Sequence, residues 1–293
     1  HAEPVETERH RAVLERVVGG LSHPWALAFL PDGALLVTER GGRLVLVADG
    51  ATTAVAGVPE VAARGQGGLL DVALDPGFAD NGRVYLAFAE DGDGGAGTAV
   101  ARARLVRDGG GARLDDVRVI FRQEPKVSGN GHFGARLVFA PDGTLFVGMG
   151  ERQKKTPAQD LGSHLGKVVR ITPEGGVPTD NPFVGRADAR PEIWSYGHRN
   201  IQGAAIDPAT GRLWTVEHGA RGGDEINVPE AGKNYGWPEI SYGVDYSGAK
   251  IGVGTSAPGM EQPLYHWDPS IAPSGMAFYE ADAFPAWKGD VFV

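Results

Sequence analysis

Cysteine is absent from the 293 residues, which excludes disulfides, thiolate catalysis and cysteine-ligated zinc. The compartment stays open, because a chain without thiols tolerates an oxidising periplasm as well as a cytosol. No apolar run approaches the ~18 residues of a membrane-spanning helix. Cations are the scarcer charge: 28 Lys and Arg face 37 Asp and Glu, for a net charge of −9. They form no basic stripe, so nucleic acid is not an expected partner. The eight histidines make no H-E-x-x-H pattern, and no G-x-S-x-G elbow, phosphate-binding loop or dinucleotide fingerprint follows a strand. The opening His1-Ala2-Glu3 carries neither Met nor an apolar leader, as in a mature exported or a trimmed protein.

What is abundant is glycine, 45 residues, in a chain that is still 42% hydrophobic. Glycine recurring between short apolar runs means many tight turns and many short strands. One unit recurs: an apolar strand, a Pro/Asp/Gly turn, and a second apolar strand. It occupies 25–38 around Pro31-Asp32-Gly33, 70–88 around Asp75-Pro76-Gly77, 136–148 around Pro141-Asp142-Gly143, 203–216 around 207–211, and 275–293 with a longer turn through Pro285. Proline presets φ and glycine supplies φ > 0, so each turn has a mechanism. Further strands, 43–47 and 167–171, follow some units, which gives two hairpins, or four strands, per unit. Small apolar residues on both faces suit sheets packed face to face, as in a β-propeller. A β-sandwich or jelly roll with long loops is the competing architecture. The surplus over a compact propeller repeat lies in the polar segment 90–97 and in 229–273, and long loops on a rigid scaffold are where sites are built.

Four polar segments stand out: Arg64–Leu70, Gly129–Arg136, Trp194–Gly203 and Glu217–Asn227. Each lies just before a first strand or just after a second one. Antiparallel pairing brings those positions to the same end of a unit, so all four can surround one channel. His132, between glycines at a strand mouth, suits proton transfer near neutral pH; a loop histidine bonded to a carbonyl is the alternative. Arg199 and Asn200 can bind a carboxylate or a quinone oxygen, or Arg199 can simply form a surface ion pair. The carboxylates, carbonyls and glycines of 217–225 suit Ca²⁺, although the spacing is not that of an EF-hand; an acidic hairpin loop is the plainer reading. Glu90-Asp91-Gly92-Asp93-Gly94 reads as a solvated hairpin tip.

At these segments the chain resembles the glucose/sorbosone dehydrogenase family, and within it the bacterial soluble aldose sugar dehydrogenases. The resemblance is carried by Gly131-His132-Phe133-Gly134 with Arg136, Ala158-Gln159-Asp160, Asp180-Asn181-Pro182-Phe183, Ile193–Gly197, Gly222–Asn227 and Lys233–Pro238. It implies an all-β, six-bladed propeller that holds pyrroloquinoline quinone (PQQ) and calcium and oxidises aldoses to lactones. It further implies His132 as the general base, Gln66, Arg199, Asn200 and Tyr246 as quinone contacts, and Gly219 and Ala220 as carbonyl ligands of the PQQ-bound calcium. Glu225 and Tyr235 would be ligands of a second, structural calcium. Ala220 and Ile201 stand where the family often has proline. The resemblance places further cationic contacts and the closing strands after Val293. Residues 1–293 are therefore expected to form a single propeller domain lacking its last blade or blades. The expected partner is a small-molecule sugar, with the electron acceptor open, in a periplasmic or secreted protein. A calcium-dependent lactonase-like hydrolase and a non-catalytic calcium-binding propeller are the alternatives.

Overall fold

The computed structural model describes residues 4–293. A short hairpin, β1 (Pro4–Glu6) with β2 (Arg11–Val13), precedes the repeats. Four modules of four antiparallel strands follow: β3 (Pro24–Phe29), β4 (Leu35–Glu39), β5 (Arg43–Ala48) and β6 (Ala51–Ala56); then β7 (Leu69–Leu74), β8 (Arg83–Gly92), β9 (Gly95–Asp108) and β10 (Gly111–Arg122). The third holds β11 (Gly134–Phe139), β12 (Leu145–Met149), β13 (Lys167–Ile171) and β14 (Ile193–Tyr196), and the fourth β15 (Ile201–Ile206), β16 (Leu213–Glu217), β17 (Asp224–Asn227) and β18 (Tyr265–Trp267). A fifth hairpin pairs β19 (Ala277–Phe278) with β20 (Val291–Phe292). All five repeated units of the sequence therefore become the first two strands of a module. The first strands contact one another in succession, β3 with β7, β7 with β11, β11 with β15 and β15 with β19, which is the radial order of an all-β propeller. Among the described residues no helix is long and apolar enough to cross a membrane.

Strand periodicity explains how modules stack. Successive side chains point to opposite faces, and β8 uses both: Val84, Leu86 and Phe88 pack into a core shared with the first module, while Tyr85, Ala87 and Ala89 pack into a core shared with the third. β12 repeats the scheme, with Leu145 and Val147 facing back and Phe146 facing forward against Ile201 and Leu213. Each fully buried Leu or Phe contributes about 1.5–3 kcal/mol, and alanines opposite them let the sheets approach closely.

The 90–94 segment is the hairpin tip expected from the sequence: the β8–β9 ladder stays paired out to Gly92 and Gly95, and Asp91 to Gly94 are exposed. Only Glu90 differs, for it is held by Lys126 at 2.5 Å and Arg122 at 2.9 Å. The first and second modules are also joined at their outer strands, where β6 and β10 pair in parallel over two residues. On the opposite side of the first module, Leu27 and Phe29 are 52% and 72% exposed beside a cleft of about 1140 Å³ that also meets Trp25, Arg136 and Met276.

The modules meet tightly at the channel end. A Cβ on Gly68, whose φ is +141°, would lie 1.8 Å from the Arg40 carbonyl oxygen. Gly143, φ +83°, has open space there. Gly68→Ala is therefore expected to destabilise by about 3 kcal/mol or more, and Gly143→Ala by about 1 kcal/mol. Chemical denaturation of both variants checks this; equal losses would show that the backbone contact at Gly68 is unimportant.

Candidate functional site

The first strand of every complete module carries a register shift near its entrance: Pro24/Ala26 in β3, Leu69/Val72 in β7, Gly134/Arg136 in β11 and Ile201/Gly203 in β15. Such bulges re-aim side chains, and here they do so at the end where the polar segments gather. Residues from all four segments line one cavity of about 260 Å³: Gly65 and Gln66, Phe133 and Gly134, Asn200 and Gln202, and His218. The convergence expected from antiparallel pairing is thus realised.

His132 sits beside this cavity and is 6% exposed. Its main-chain N–H donates to Gln66 Oε1 at 2.7 Å, and its Nδ1 lies 2.5 Å from Glu151 Oε1. Burial alone would raise the Glu151 carboxyl, but His132, the Lys155 amide (2.6 Å) and Arg199 together hold it below its usual value. An ionised carboxylate only accepts, so the proton of His132 is on Nδ1 and Nε2 keeps its lone pair. Burial pushes the His132 pKa down, Glu151 pulls it back up, and Arg199 and His218 add to the lowering. The imidazole is consequently neutral at pH 7, the state a base requires.

Arg199 and Asn200 are 6% and 2% exposed. The surface ion pair is thereby excluded for Arg199: its guanidinium donates to the His218 carbonyl at 3.1 Å, lies 5.2 Å from the Trp237 ring centroid, and leaves Nε buried without a partner. Asn200 Oδ1 accepts from the Gly134 amide at 3.2 Å. Beneath them lies a buried relay. Ser195 Oγ and His198 Nε2 are 2.9 Å apart, His198 Nδ1 and Glu217 Oε1 2.9 Å, and Glu217 Oε2 accepts from the Arg199 amide at 2.6 Å. With Ser195 and His198 fully buried, this triad meets no substrate; it orients Arg199.

The 217–225 segment folds back on itself. Gly219 donates to Asp224 Oδ1 at 2.7 Å, and a Cβ at Gly219 would lie 2.2 Å from the Gly222 carbonyl oxygen. Ala220 packs with Ala158 and Trp237. Glu225 faces Glu217 across the β16–β17 ladder. Burial, then Glu217 and Asp224, push its pKa up to about 8, although part of the side chain reaches the surface. Tyr235 is 7% exposed, stacks on His198 at 4.8 Å, and donates its hydroxyl to the Val228 carbonyl at 2.7 Å. Gly219, Glu225 and Tyr235 line one small pocket with Arg199 and Glu217. Among the described residues no three His, Cys, Asp or Glu side chains converge on a metal position, so a cation here would draw on main-chain oxygens. Tyr246 stands apart, 71% exposed and outside both pockets.

The reading of the sequence missed Glu151 and gave no role to His198, and it placed Glu217 and His218 only within the 217–225 segment suited to Ca²⁺. A signal was present: a glutamate stands near the exit of the second strand of each four-stranded module, Glu39 and Glu217 as its last residue, Glu151 two residues beyond it and Glu90 two residues before its end. Antiparallel pairing sets that position opposite the entrance of the first strand, as in Pro24↔Glu39 and Ile201↔Glu217.

The chain matches the model of the Glucose / Sorbosone dehydrogenase family over residues 21–293. It is 51% identical to aldose sugar dehydrogenase YliI of Escherichia coli over 279 residues, which are 93% of this chain and 75% of that protein. The crystal structure of the soluble aldose sugar dehydrogenase of E. coli in its apo-form superposes with a TM-score of 0.90 at 51% identity, over 93% of this chain and 80% of that one. The PQQ-bound aldose sugar dehydrogenase of Streptomyces coelicolor does so with a TM-score of 0.77 at 34% identity, over 92% and 75%.

The raised Glu225 pKa carries a sign. Between the ordinary carboxylate value and about 8, the folded state holds a proton that the unfolded state lacks, so this group lowers stability as pH rises through that window. Glu225→Gln removes the effect. In metal-free protein the variant should melt above the parent at pH 8, with the gap closing by pH 5. A gap independent of pH would rule out a proton held on Glu225 in the folded state.

Proposed function

Because the chain belongs to the glucose/sorbosone dehydrogenase family, we propose that it oxidises an aldose at its anomeric carbon to the lactone, with PQQ as the electron acceptor and His132 as the base. The observation that carries this reading is the buried, neutral His132, its proton locked on Nδ1 by Glu151, beside a cavity lined from four separate loops.

The residues present fit the cofactor. PQQ is a flat tricarboxylate ortho-quinone, and this site offers a guanidinium with a buried, unpartnered Nε on Arg199 together with the amides of Gln66 and Asn200. Those three would contact the quinone, with Tyr246 as an outer contact. The carbonyls of Gly219 and Ala220 would hold the cofactor's calcium, in a stretch where side-chain bulk is excluded at Gly219. Glu225 and Tyr235 would belong to the second calcium, whose charge would replace the proton that the raised Glu225 carboxyl otherwise holds. A six-bladed ring and a periplasmic or secreted location go with this reading.

PQQ, when bound, supplies the acceptor for the hydride that leaves the sugar carbon. His132 Nε2 takes the proton of the hydroxyl on that carbon as its C–O bond becomes a carbonyl. Glu151 stabilises the imidazolium so formed without taking the proton itself. Arg199 aims a fixed positive charge into a region with little water, where it stabilises developing negative charge at no cost of reorganisation. Gln66 ties the two halves together, since the side chain that would meet the quinone also fixes the His132 backbone.

His132→Ala is expected to bind PQQ nearly as the parent does and to lose about 10²–10⁴-fold in turnover. The acid limb of the parent's kcat/KM profile should lie below the ordinary imidazole value, as the lowered pKa requires. Turnover within a few-fold of the parent would remove His132 from the mechanism. Bleaching of a redox dye by sugar, only after PQQ is added, separates oxidation from a hydrolase or a binding propeller.

Removing calcium with excess chelator should lower both the melting temperature and the affinity for PQQ, since a ligand bound only by the folded state stabilises it. With metal shown to be gone, an unchanged melting temperature would argue against both calcium sites.

A further inference from the structure

One large charged side chain lies fully buried next to the site and outside the chemistry described above. Arg152 is 0% exposed. Its Nη1 donates to the Gly131 carbonyl, its Nη2 to the Gly129 carbonyl at 2.7 Å, and its guanidinium carbon lies 3.5 Å from the centre of the Phe133 ring. Among the described residues no carboxylate forms an ion pair with it, and its Nε is buried without a partner. Burial pushes its pKa down to about 10, so it remains a cation at pH 7. Burying a guanidinium without a counter-charge is costly, and here only the two carbonyls and the Phe133 ring offset it.

What it grips is the segment that presents His132. His132 has φ +51°, a left-handed conformation that L-residues with a Cβ avoid and that persists only where the surroundings over-determine it. Four hydrogen bonds do so here. The Arg152 guanidinium takes the carbonyls on the N-terminal side, its main-chain N–H donates to the His132 carbonyl at 3.1 Å, and the His132 N–H donates to Gln66. The Gln66 main-chain N–H in turn donates to the Asn130 carbonyl at 2.7 Å, between the two carbonyls that Arg152 holds. Arg152, residues 129–132 and Gln66 thus form a closed circuit around the strained residue.

We propose that Arg152 is a positioning residue: its planar fork holds the 129–132 loop so that the His132 imidazole stays in bonding distance of Glu151 with Nε2 free. A lysine cannot reproduce two divergent hydrogen bonds and a stacked face at once. The proposal rests on the reading of His132 as the base.

The test uses Arg152→Met and Arg152→Lys in the whole protein, with two readings. In cofactor-free protein, ¹⁵N resonances of the His132 ring report its tautomer and titration. With PQQ and calcium restored, steady-state kinetics give kcat and KM. In the parent, His132 should be a single Nδ1–H tautomer at pH 7. In Arg152→Met, both tautomers should appear, and kcat should fall about 10–100-fold with KM within about threefold, as expected for a misplaced base; Arg152→Lys should lie between. Parental ring signals and kcat within twofold, with only the melting temperature lowered, would overturn the proposal. If neither variant folds, Phe133→Leu removes the ring under the guanidinium without deleting a hydrogen bond, and unchanged His132 signals there would overturn it as well. Ring signals that shift while kcat holds would leave Arg152 as the positioning residue and sink His132 as the base.

Discussion

The guanidinium of Arg136 joins all the modules of the described residues at one point. It projects from the third module and donates to Asp71 of the second at 3.0 Å, to the Gln202 carbonyl of the fourth at 3.0 and 2.8 Å, and to the Ser274 carbonyl before the fifth hairpin at 3.1 Å. Its face lies 4.3 Å from the centre of the Trp25 ring in the first module. Apolar cores join the first module to the second, the second to the third and the third to the fourth. A planar cation with five donors can serve several modules at once, which a lysine could not. Asp71 is the partner most exposed to this constraint: burial pushes its carboxyl up, while Arg136 and the amides of Leu137 and Val72 oppose the shift.

With the channel ends pinned, distortion becomes affordable there. The bulges at the strand entrances, the left-handed backbone of His132, and glycines such as Gly68 and Gly219, which admit a carbonyl where a Cβ would stand, lie within this zone. The surrounding propeller sheets supply the stability against which this strain is held. The irregular backbone turns the four loops inward.

The site is also an electrostatic design. Two buried histidines each have a carboxylate at Nδ1, His132 with Glu151 and His198 with Glu217. The first pair leaves His132 Nε2 without a hydrogen-bond partner among the described residues, next in the chain to the Phe133 and Gly134 that line the cavity. In the second pair Nε2 is occupied by Ser195, so the same chemical pair becomes scaffolding for Arg199. Glu225, beside Glu217, is left with an uncompensated charge that a proton or a cation must neutralise. Glu217 thereby serves both sides, accepting from the Arg199 amide and lining the small pocket that holds Glu225.

The sequence by itself determined the five strand–turn–strand units, because Pro/Asp/Gly turns and short apolar runs are local signals that need no partner to be read. It determined that the polar segments converge at one end, since antiparallel pairing decides which ends of strands coincide. Only the tertiary structure decided the pairings within the site. That Glu151 meets His132, that Arg152 grips residues 129 and 131, and that Tyr246 is exposed depend on bulges and positive φ values which shift register by single residues, and no pattern of period two records such shifts. The partner of Arg136 in each module lies between 65 and 138 positions away along the chain, and contacts of that range are created by the fold.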